Sequence, residues 1–199
     1  IGLPLNIDVV ILAAGQGSRM RSNKPKVLHA IGGKPMLQHV IDAAKALGEV
    51  HVHIVVGHGA DQVQANLGAE SRYSDCQYIE QVEQLGTAHA VLQVLPALKP
   101  GSKTLILYGD VPLIKTETLH AMLEAVNETS MAVLTASLDD AAGYGRIVRN
   151  DNNEVLSIVE HKDAKTDQLA INEINTGIMC IPQSCLAKWL PNIGNDNAQ

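Results

Sequence analysis

The sequence predicts an α/β fold built on a mostly parallel sheet, and three observations carry the prediction. Short strand signals alternate with helical periods from Asp8 to Ser137. The strand signals are near-continuous apolar runs, Val9-Val10-Ile11-Leu12, Val52-His53-Ile54-Val55-Val56 and Leu105-Ile106-Leu107-Tyr108, as expected where both faces of a sheet are covered. Each run ends in glycine or small residues, at the sheet edge where open α/β folds bind ligands.

In chain order, the first run opens into Ala13-Ala14-Gly15-Gln16-Gly17-Ser18-Arg19-Met20. Pro35 then begins a helical pattern with Met36, Leu37, Val40, Ile41, Ala44 and Leu47 on one face, which Gly48 stops. Val52 to Val56 is the second strand. A short helix with Val63 and Leu67 follows, with Asp61 expected as its cap. Tyr78-Ile79 is a short strand, and Ala88, Val91, Leu92 and Leu95 are helical. After the strand at Leu105, Thr116 is expected to cap a helix carrying Leu119, Met122, Leu123 and Val126. Met131 to Ser137 returns to strand. From Gly143 the style changes. Arg146-Ile147-Val148, the turn Asn150-Asp151-Asn152-Asn153 and Val155 to Val159 read as an antiparallel hairpin. A strand from Gly177 to Ile181 and a helix around Leu186 to Leu190 follow. There are no repeats and no low-complexity tract.

The loop after the first strand carries the strongest chemical signal. Between Asp8 and Asp42 there is no acid, but there are Arg19, Arg21, Lys24, Lys26 and Lys34, a third of the 15 cations of a chain of net charge −6. Gly15 and Gly17 allow a tight turn and a close approach of backbone to a ligand. Together these features point to a polyphosphate site, although a Gly-x-Gly alone is equally a tight turn. The spacing excludes a P-loop, which needs Gly-Lys-Ser/Thr after four residues. It also disfavours a dinucleotide loop. Met20 stands where the third glycine belongs, and the second strand ends in Gly57-His58-Gly59 without the acid that would bind a ribose.

Asp110 follows a buried strand in Tyr108-Gly109-Asp110-Val111-Pro112. A carboxylate at this edge, opposite a phosphate loop, suits Mg²⁺, which takes one or two carboxylates, phosphate oxygens and water. The plainer reading is a turn aspartate bonded to its own backbone. The eight histidines form no metal-ligand pattern and read as surface or core residues, and no Gly-x-Ser-x-Gly elbow supports acyl hydrolysis.

A chain of 199 residues suggests one domain with a small lobe, large enough to bury roughly 70% of its unfolded surface. With no Phe, one Trp and four Tyr, its core must be aliphatic. Three cysteines without metal-ligand spacing read as reduced thiols of a cytoplasmic protein. No run approaches 18 apolar residues and no signal peptide is visible, so membrane insertion is not expected. The acidic balance argues against a nucleic-acid groove.

The motifs are specific enough to carry a family resemblance. Leu12 to Met20 with Lys24-Pro25-Lys26-Val27-Leu28-His29 resembles the sugar nucleotidyltransferases. Glu83-Gln84-Leu85-Gly86-Thr87-Ala88-His89-Ala90, Tyr108 to Leu113, Gly143-Tyr144-Gly145-Arg146-Ile147, Ile158 to Ala164 and Glu173-Ile174-Asn175-Thr176-Gly177 narrow this to the bacterial N-acetylglucosamine-1-phosphate uridylyltransferases. The resemblance runs from about Asp8 to Gln199. It implies a Rossmann-like, mostly parallel mixed sheet with a core over about 8–138 and a small antiparallel sugar-binding lobe over about 139–199.

The resemblance also implies roles. Leu12, Ala14 and Gly15 would hold the nucleotide through backbone groups. Gly17, Arg19 and Lys26 would surround the triphosphate, with Arg19 and Lys26 as the catalytic cations. Gln81, Gln84, Gly86 and Thr87 would meet uracil and ribose, Asp110 would bind Mg²⁺, and Gly145, Glu160 and Asn175 would contact N-acetylglucosamine. The implied reaction joins UTP and N-acetylglucosamine-1-phosphate into UDP-N-acetylglucosamine and pyrophosphate, for cell-envelope precursors. A cytidylyl or thymidylyl enzyme, or a nucleotide-binding fragment without turnover, are the alternatives. The family continues into a segment that completes the sugar pocket and supplies an Asn as second magnesium ligand. It then continues into a β-helix domain for acetyl transfer and trimer formation. A chain ending at Gln199 is expected to lack these and to turn over poorly.

Overall fold

A computed structural model describes residues 6–15 and 22–193 of the chain. The elements are β1 (Ile7–Leu12), β2 (Ala30–Ile31), β3 (Lys34–Pro35), α1 (Met36–Lys45), β4 (His51–Val56), α2 (Ala60–Gly68), β5 (Gln77–Glu80), α3 (Thr87–Val94), β6 (Lys103–Tyr108) and α4 (Thr116–Ala125). They continue as β7 (Ala132–Ser137), β8 (Arg146–Arg149), β9 (Val155–Val159), α5 (Thr166–Leu169), β10 (Glu173–Pro182) and α6 (Gln183–Trp189). The chain forms two compact units, Val133–Met179 and the remainder. These bounds differ from the lobe expected over about 139–199. In the structure, the smaller unit starts at Val133 and ends at Met179, and the described residues from Cys180 to Ile193 group with the first unit, into which β10, a single strand of 10 residues, continues.

In the first unit, β5, β4, β1 and β6 lie side by side in that order, all parallel. Val9, Val10 and Ile11 have no solvent exposure, which accounts for the unbroken apolar run of β1. Burying each such side chain is worth about 1.5–3 kcal/mol. Helix α1 buries Met36, Leu37, Val40, Ile41 and Ala44, a stripe of helical period, and ends at Lys45 ahead of Gly48. Gly32 and Gly33 both adopt positive φ (59° and 80°), the geometry that a two-residue turn between β2 and β3 requires. Toward the amino end of β1 lies a buried pair. His53 Nε2 is 2.8 Å from Asp8 Oδ1, and the Lys99 amide donates to Asp8 Oδ2 at 2.9 Å. Burial pushes the Asp8 carboxyl upward, but these bonds outweigh it and hold it below its ordinary value.

Two capping expectations are corrected. Helix α2 starts after Gly59 in the left-handed region (φ 83°), so Asp61 sits inside the first turn and caps nothing. Its charge still favours that end of the helix dipole. Helix α4 is preceded by Lys115; Thr116 is its first residue and donates its hydroxyl to the Ala43 carbonyl at 2.9 Å. Tertiary contact has taken the side chain away from the cap.

The second unit is antiparallel. β8 pairs with β9 and with β10, and β7 also pairs with β10. Arg149 and Glu173 form a two-pronged ion pair, Nε–Oε2 and Nη2–Oε1 both at 2.7 Å, and Thr135 adds a hydroxyl donor at 2.8 Å. The strand expected at Gly177 to Ile181 begins earlier, at Glu173, and the last helix also begins earlier, at Gln183.

Candidate active site

The site of the first unit grows from the carboxyl ends of its strands. Beyond β1, the Ala13 amide donates to Val55 O at 2.8 Å, and the Gly109 amide donates to Leu12 O at 3.0 Å. The Gln81 amide donates to Val56 O at 2.8 Å, which fixes the residue after β5 to the end of β4. Four strand ends, those of β1, β4, β5 and β6, are thus tied together before the chain turns.

Two glycines make this possible. A Cβ on Gly57 would lie 3.1 Å from Ala14 O and 3.2 Å from Gln84 Nε2. A Cβ on Gly109 would lie 3.0 Å from Val27 Cγ1 and 3.3 Å from Leu12 O. These distances are tighter than most real Cβ contacts, so a side chain at either position would have to push its neighbours aside, and glycine is favoured by close approach rather than by backbone angle.

A cleft of about 300 Å³ opens here, lined by Leu12, Ala14, Gly15, Gln81, Gln84, Gly86, Thr87, Ala90 and Tyr108. The seven described residues assigned to the nucleotide from the sequence therefore share one hollow. Gly17 and Arg19, the remaining phosphate candidates on the loop, lie outside the described residues. Gln84 Nε2 donates to Ala14 O at 2.6 Å. Gln81 is 4% exposed, and its Nε2 lies 3.3 Å from Gly86 O and 3.0 Å from His89 Nδ1. Gly86 has φ 97°, which favours glycine, and directly precedes α3. The amide nitrogens are thus committed to the protein. Among the described residues neither amide oxygen has a partner.

The clustered cations separate in the structure. Arg21, like Arg19, lies outside the described residues. Lys34 pairs with Asp42, and Lys24 is exposed. Lys26, at the start of a short 3-10 turn ending at Leu28, places Nζ 2.6 Å from Asp110 Oδ2. The sequence assigned these two residues to phosphate and metal separately and did not anticipate that they meet. No group of three metal-ligating side chains occurs among the described residues. Thiol chemistry has no support, because Cys76, Cys180 and Cys185 are free and buried. Burial pushes the Cys76 thiol up to about 11 and that of Cys180 up to about 12.

The second unit brings together its own three residues. Arg146 pairs with Val159 on β9 and with Ile174 on β10, so one step back Gly145 faces both Glu160 and Asn175. The Asn175 amide donates to Gly145 O at 2.8 Å, and a Cβ on Gly145 would lie 3.2 Å from Glu160 Oε1. Asn175 Oδ1 accepts the Gly177 amide at 2.9 Å, which leaves its Nδ2 available as a donor.

Tyr108, Ala90 and His89 were not assigned roles from the sequence. Tyr108 is the last residue of a buried strand and could have been found by asking which side chain faces the ligand edge. Ala90 lines the cleft, but a small apolar residue carries no signal of its own. His89 carries none either, because its partner Gln81 precedes the turn and His89 follows it.

A parallel α/β sheet with a cleft at its carboxyl edge that carries two glutamine amides, and an acid beyond a neighbouring strand, is the architecture of a nucleotidyltransferase. The comparisons agree. Residues 9–188 match the MobA-like NTP transferase domain, and the chain belongs to that family. It is similar to the bifunctional protein GlmU of Saccharophagus degradans, 55% identical over 193 residues. It is likewise similar to GlmU of Pseudomonas syringae pv. syringae, 54% identical over 195 residues. These alignments cover 97% and 98% of this chain but 42% of each relative. The resemblance read from the motifs is thus upheld for a domain that spans under half of those proteins.

Two solved structures share the fold. A UDP-glucose pyrophosphorylase complexed with UDP-glucose has a TM-score of 0.74 at 17% identity, over 97% of this chain and 83% of that one. HddC from Yersinia pseudotuberculosis has a TM-score of 0.71 at 23% identity, over 92% of this chain and 79% of that one.

Proposed function

We propose that this domain transfers the uridylyl group of UTP to N-acetylglucosamine-1-phosphate, giving UDP-N-acetylglucosamine and pyrophosphate. The observation that supports it best is the pair of glutamines at one cleft, Nε2 of Gln84 on Ala14 O and Nε2 of Gln81 on Gly86 O. Held this way, their oxygens accept from a base. Uracil offers a ring N–H between two carbonyls, whereas cytosine offers a bare ring nitrogen. Backbone groups of Leu12, Ala14, Gly15 and Gly86 can meet the remaining edges and the ribose, with the Thr87 hydroxyl beside them.

The acceptor phosphate is already an anion, so no general base is needed. One of its oxygens forms a bond to the α-phosphorus, the bond between α-phosphorus and the bridging oxygen breaks, and pyrophosphate leaves with that electron pair. The chain must align the two phosphates and neutralise charge that builds on them. Lys26 serves this purpose, joined by Arg19 on the loop. Asp110 fits Mg²⁺. It is a carboxylate at a strand end with one oxygen on a half-buried lysine, and magnesium asks for only one or two protein carboxylates beside phosphate oxygens and water. When bound, the ion supplies positive charge to the phosphate oxygens. For the acceptor, Glu160 takes hydrogen bonds from sugar hydroxyls, Asn175 donates from Nδ2, and Gly145 leaves the space beside them open.

The test is pyrophosphate release from a panel of UTP, CTP, dTTP, GTP and ATP, each with N-acetylglucosamine-1-phosphate and glucose-1-phosphate. The UTP and N-acetylglucosamine-1-phosphate pair should be fastest. An equal or faster rate with another nucleotide would overturn the uridylyl assignment.

A further inference from the structure

We infer that His89 is a positioning residue for base selection: it locks the Gln81 amide so that its oxygen, not its nitrogen, faces the nucleotide cleft. This rests on the reading of that cleft as a uridine site and adds a residue to it.

The geometry fixes the amide twice. Gln81 Nε2 lies 3.3 Å from the Gly86 carbonyl and 3.0 Å from His89 Nδ1. A carbonyl only accepts, so the group facing it must be the NH₂. For the same NH₂ to donate to Nδ1, that nitrogen must carry a lone pair, and the imidazole proton must be on Nε2. His89 Nε2 faces the Gln93 amide at 3.2 Å, with Gln93 Nε2 also 3.3 Å from His89 O. Both ring nitrogens cannot accept at once. Gln93 is half-buried on α3 and can turn its oxygen toward Nε2–H, with water replacing what it gives up. Gln81 is 4% exposed and faces a fixed carbonyl, so it cannot turn without an unpaired buried group. The proton therefore belongs on Nε2, and Gln81 Oε1 is left as a fixed acceptor in the cleft wall.

A fixed acceptor selects a base with a ring N–H. Without His89 the amide keeps only its longer bond to Gly86 O, and the flipped orientation costs less than it does with both bonds in place. The flipped amide offers a donor, which suits the bare ring nitrogen of cytosine. His89 would thus act on the ratio of affinities rather than on affinity as such.

The test is calorimetric binding of UTP and CTP to the 199-residue chain with Mg²⁺, for wild type, His89→Leu and His89→Asn. An asparagine Oδ1 can restore an acceptor where Nδ1 stood. Leu should reduce the CTP-to-UTP ratio of Kd by about five- to tenfold, the size expected for one mispaired buried hydrogen bond, and Asn should recover most of it. A purely structural role would weaken both nucleotides alike and leave the ratio unchanged, which would overturn the inference. Failure of wild type to bind any nucleotide would instead overturn the uridine reading beneath it. The ¹⁵N shifts of the His89 ring in the wild-type protein give a check free of any folding defect. They should show Nε2–H with a bare Nδ1, and a proton on Nδ1 would contradict the locked amide.

Discussion

Lys26 Nζ stands 2.6 Å from Asp110 Oδ2, across 84 positions of sequence, and links the first loop to the end of β6. Their side chains are 43% and 30% exposed, so the bond is worth no more than about 1 kcal/mol and is weak enough to be exchanged for other partners. The pair sets one positive and one negative group side by side at the carboxyl edge of the sheet. On the proposed reading, a cation engaging Asp110 would free Lys26 for phosphate, and a phosphate engaging Lys26 would free Asp110. Lys26→Ala should lower kcat by about 10²–10³, as loss of a transition-state donor does. Steady-state kinetics decide the point. A raised KM for UTP with kcat unchanged would make Lys26 a ground-state binder only. Lys24→Ala should be much milder, because Lys24 is exposed and, among the described residues, its only hydrogen bond runs from its backbone amide to the Ser22 hydroxyl.

Gln81 is the second test. UTP should bind more tightly than CTP in the presence of Mg²⁺, and Gln81→Ala should narrow the gap by about 1–3 kcal/mol, the penalty for leaving a buried partner unpaired. Equal calorimetric affinities in the wild-type protein would remove uracil recognition from the cleft.

Much of this was legible from residues alone. The apolar runs of β1, β4 and β6 announced a doubly covered sheet, because burial on both faces leaves no room for alternation. The helical stripe from Met36 to Ala44 was equally plain. The caps were not, since Thr116 spends its hydroxyl on Ala43 O, a partner 73 positions away. The site divides in the same way. Glycines and cations near β1 point to a phosphate loop through local chemistry, and residues 16–21 of that loop lie outside the described residues. The meeting of Lys26 with Asp110 and the Gln81–His89 bond depend on strand order and on the turn before α3, which residue spacing does not encode. Gln81 and Gln84 would have read as ordinary polar surface without the family resemblance.

Gly145 provides a test of the second unit. Gly145→Ala places a methyl 3.2 Å from Glu160 Oε1 and 3.3 Å from Ile158 Cγ2. The carboxylate must shift, so KM for N-acetylglucosamine-1-phosphate should rise by about tenfold or more, by analogy with the loss of one well-placed hydrogen bond. Affinity for UTP, measured separately, should stay as in wild type. An unchanged KM for the sugar phosphate would take Gly145 and Glu160 out of its binding site.

Acid stability tests the Arg149–Glu173 pair. Its bonds to Arg149, and then to Thr135, hold the Glu173 carboxyl down at about 2, against an ordinary value of 4.5. A folded-state value below the unfolded one means that the stabilisation is complete above about pH 4.5 and fades as pH falls toward 2. Glu173→Gln should therefore lower Tm at pH 7 and converge on wild type near pH 2. A Tm difference that stays constant across this range would show that the pair's charge contributes nothing.

The central claim is transfer of the uridylyl group to a sugar phosphate, and following the α-phosphorus tests it most directly. With UTP labelled at the α-phosphate, N-acetylglucosamine-1-phosphate and Mg²⁺, and protein in excess over nucleotide, the account predicts label in UDP-N-acetylglucosamine and unlabelled pyrophosphate. Label recovered as UMP, or left wholly in UTP while another nucleotide reacts, would contradict it.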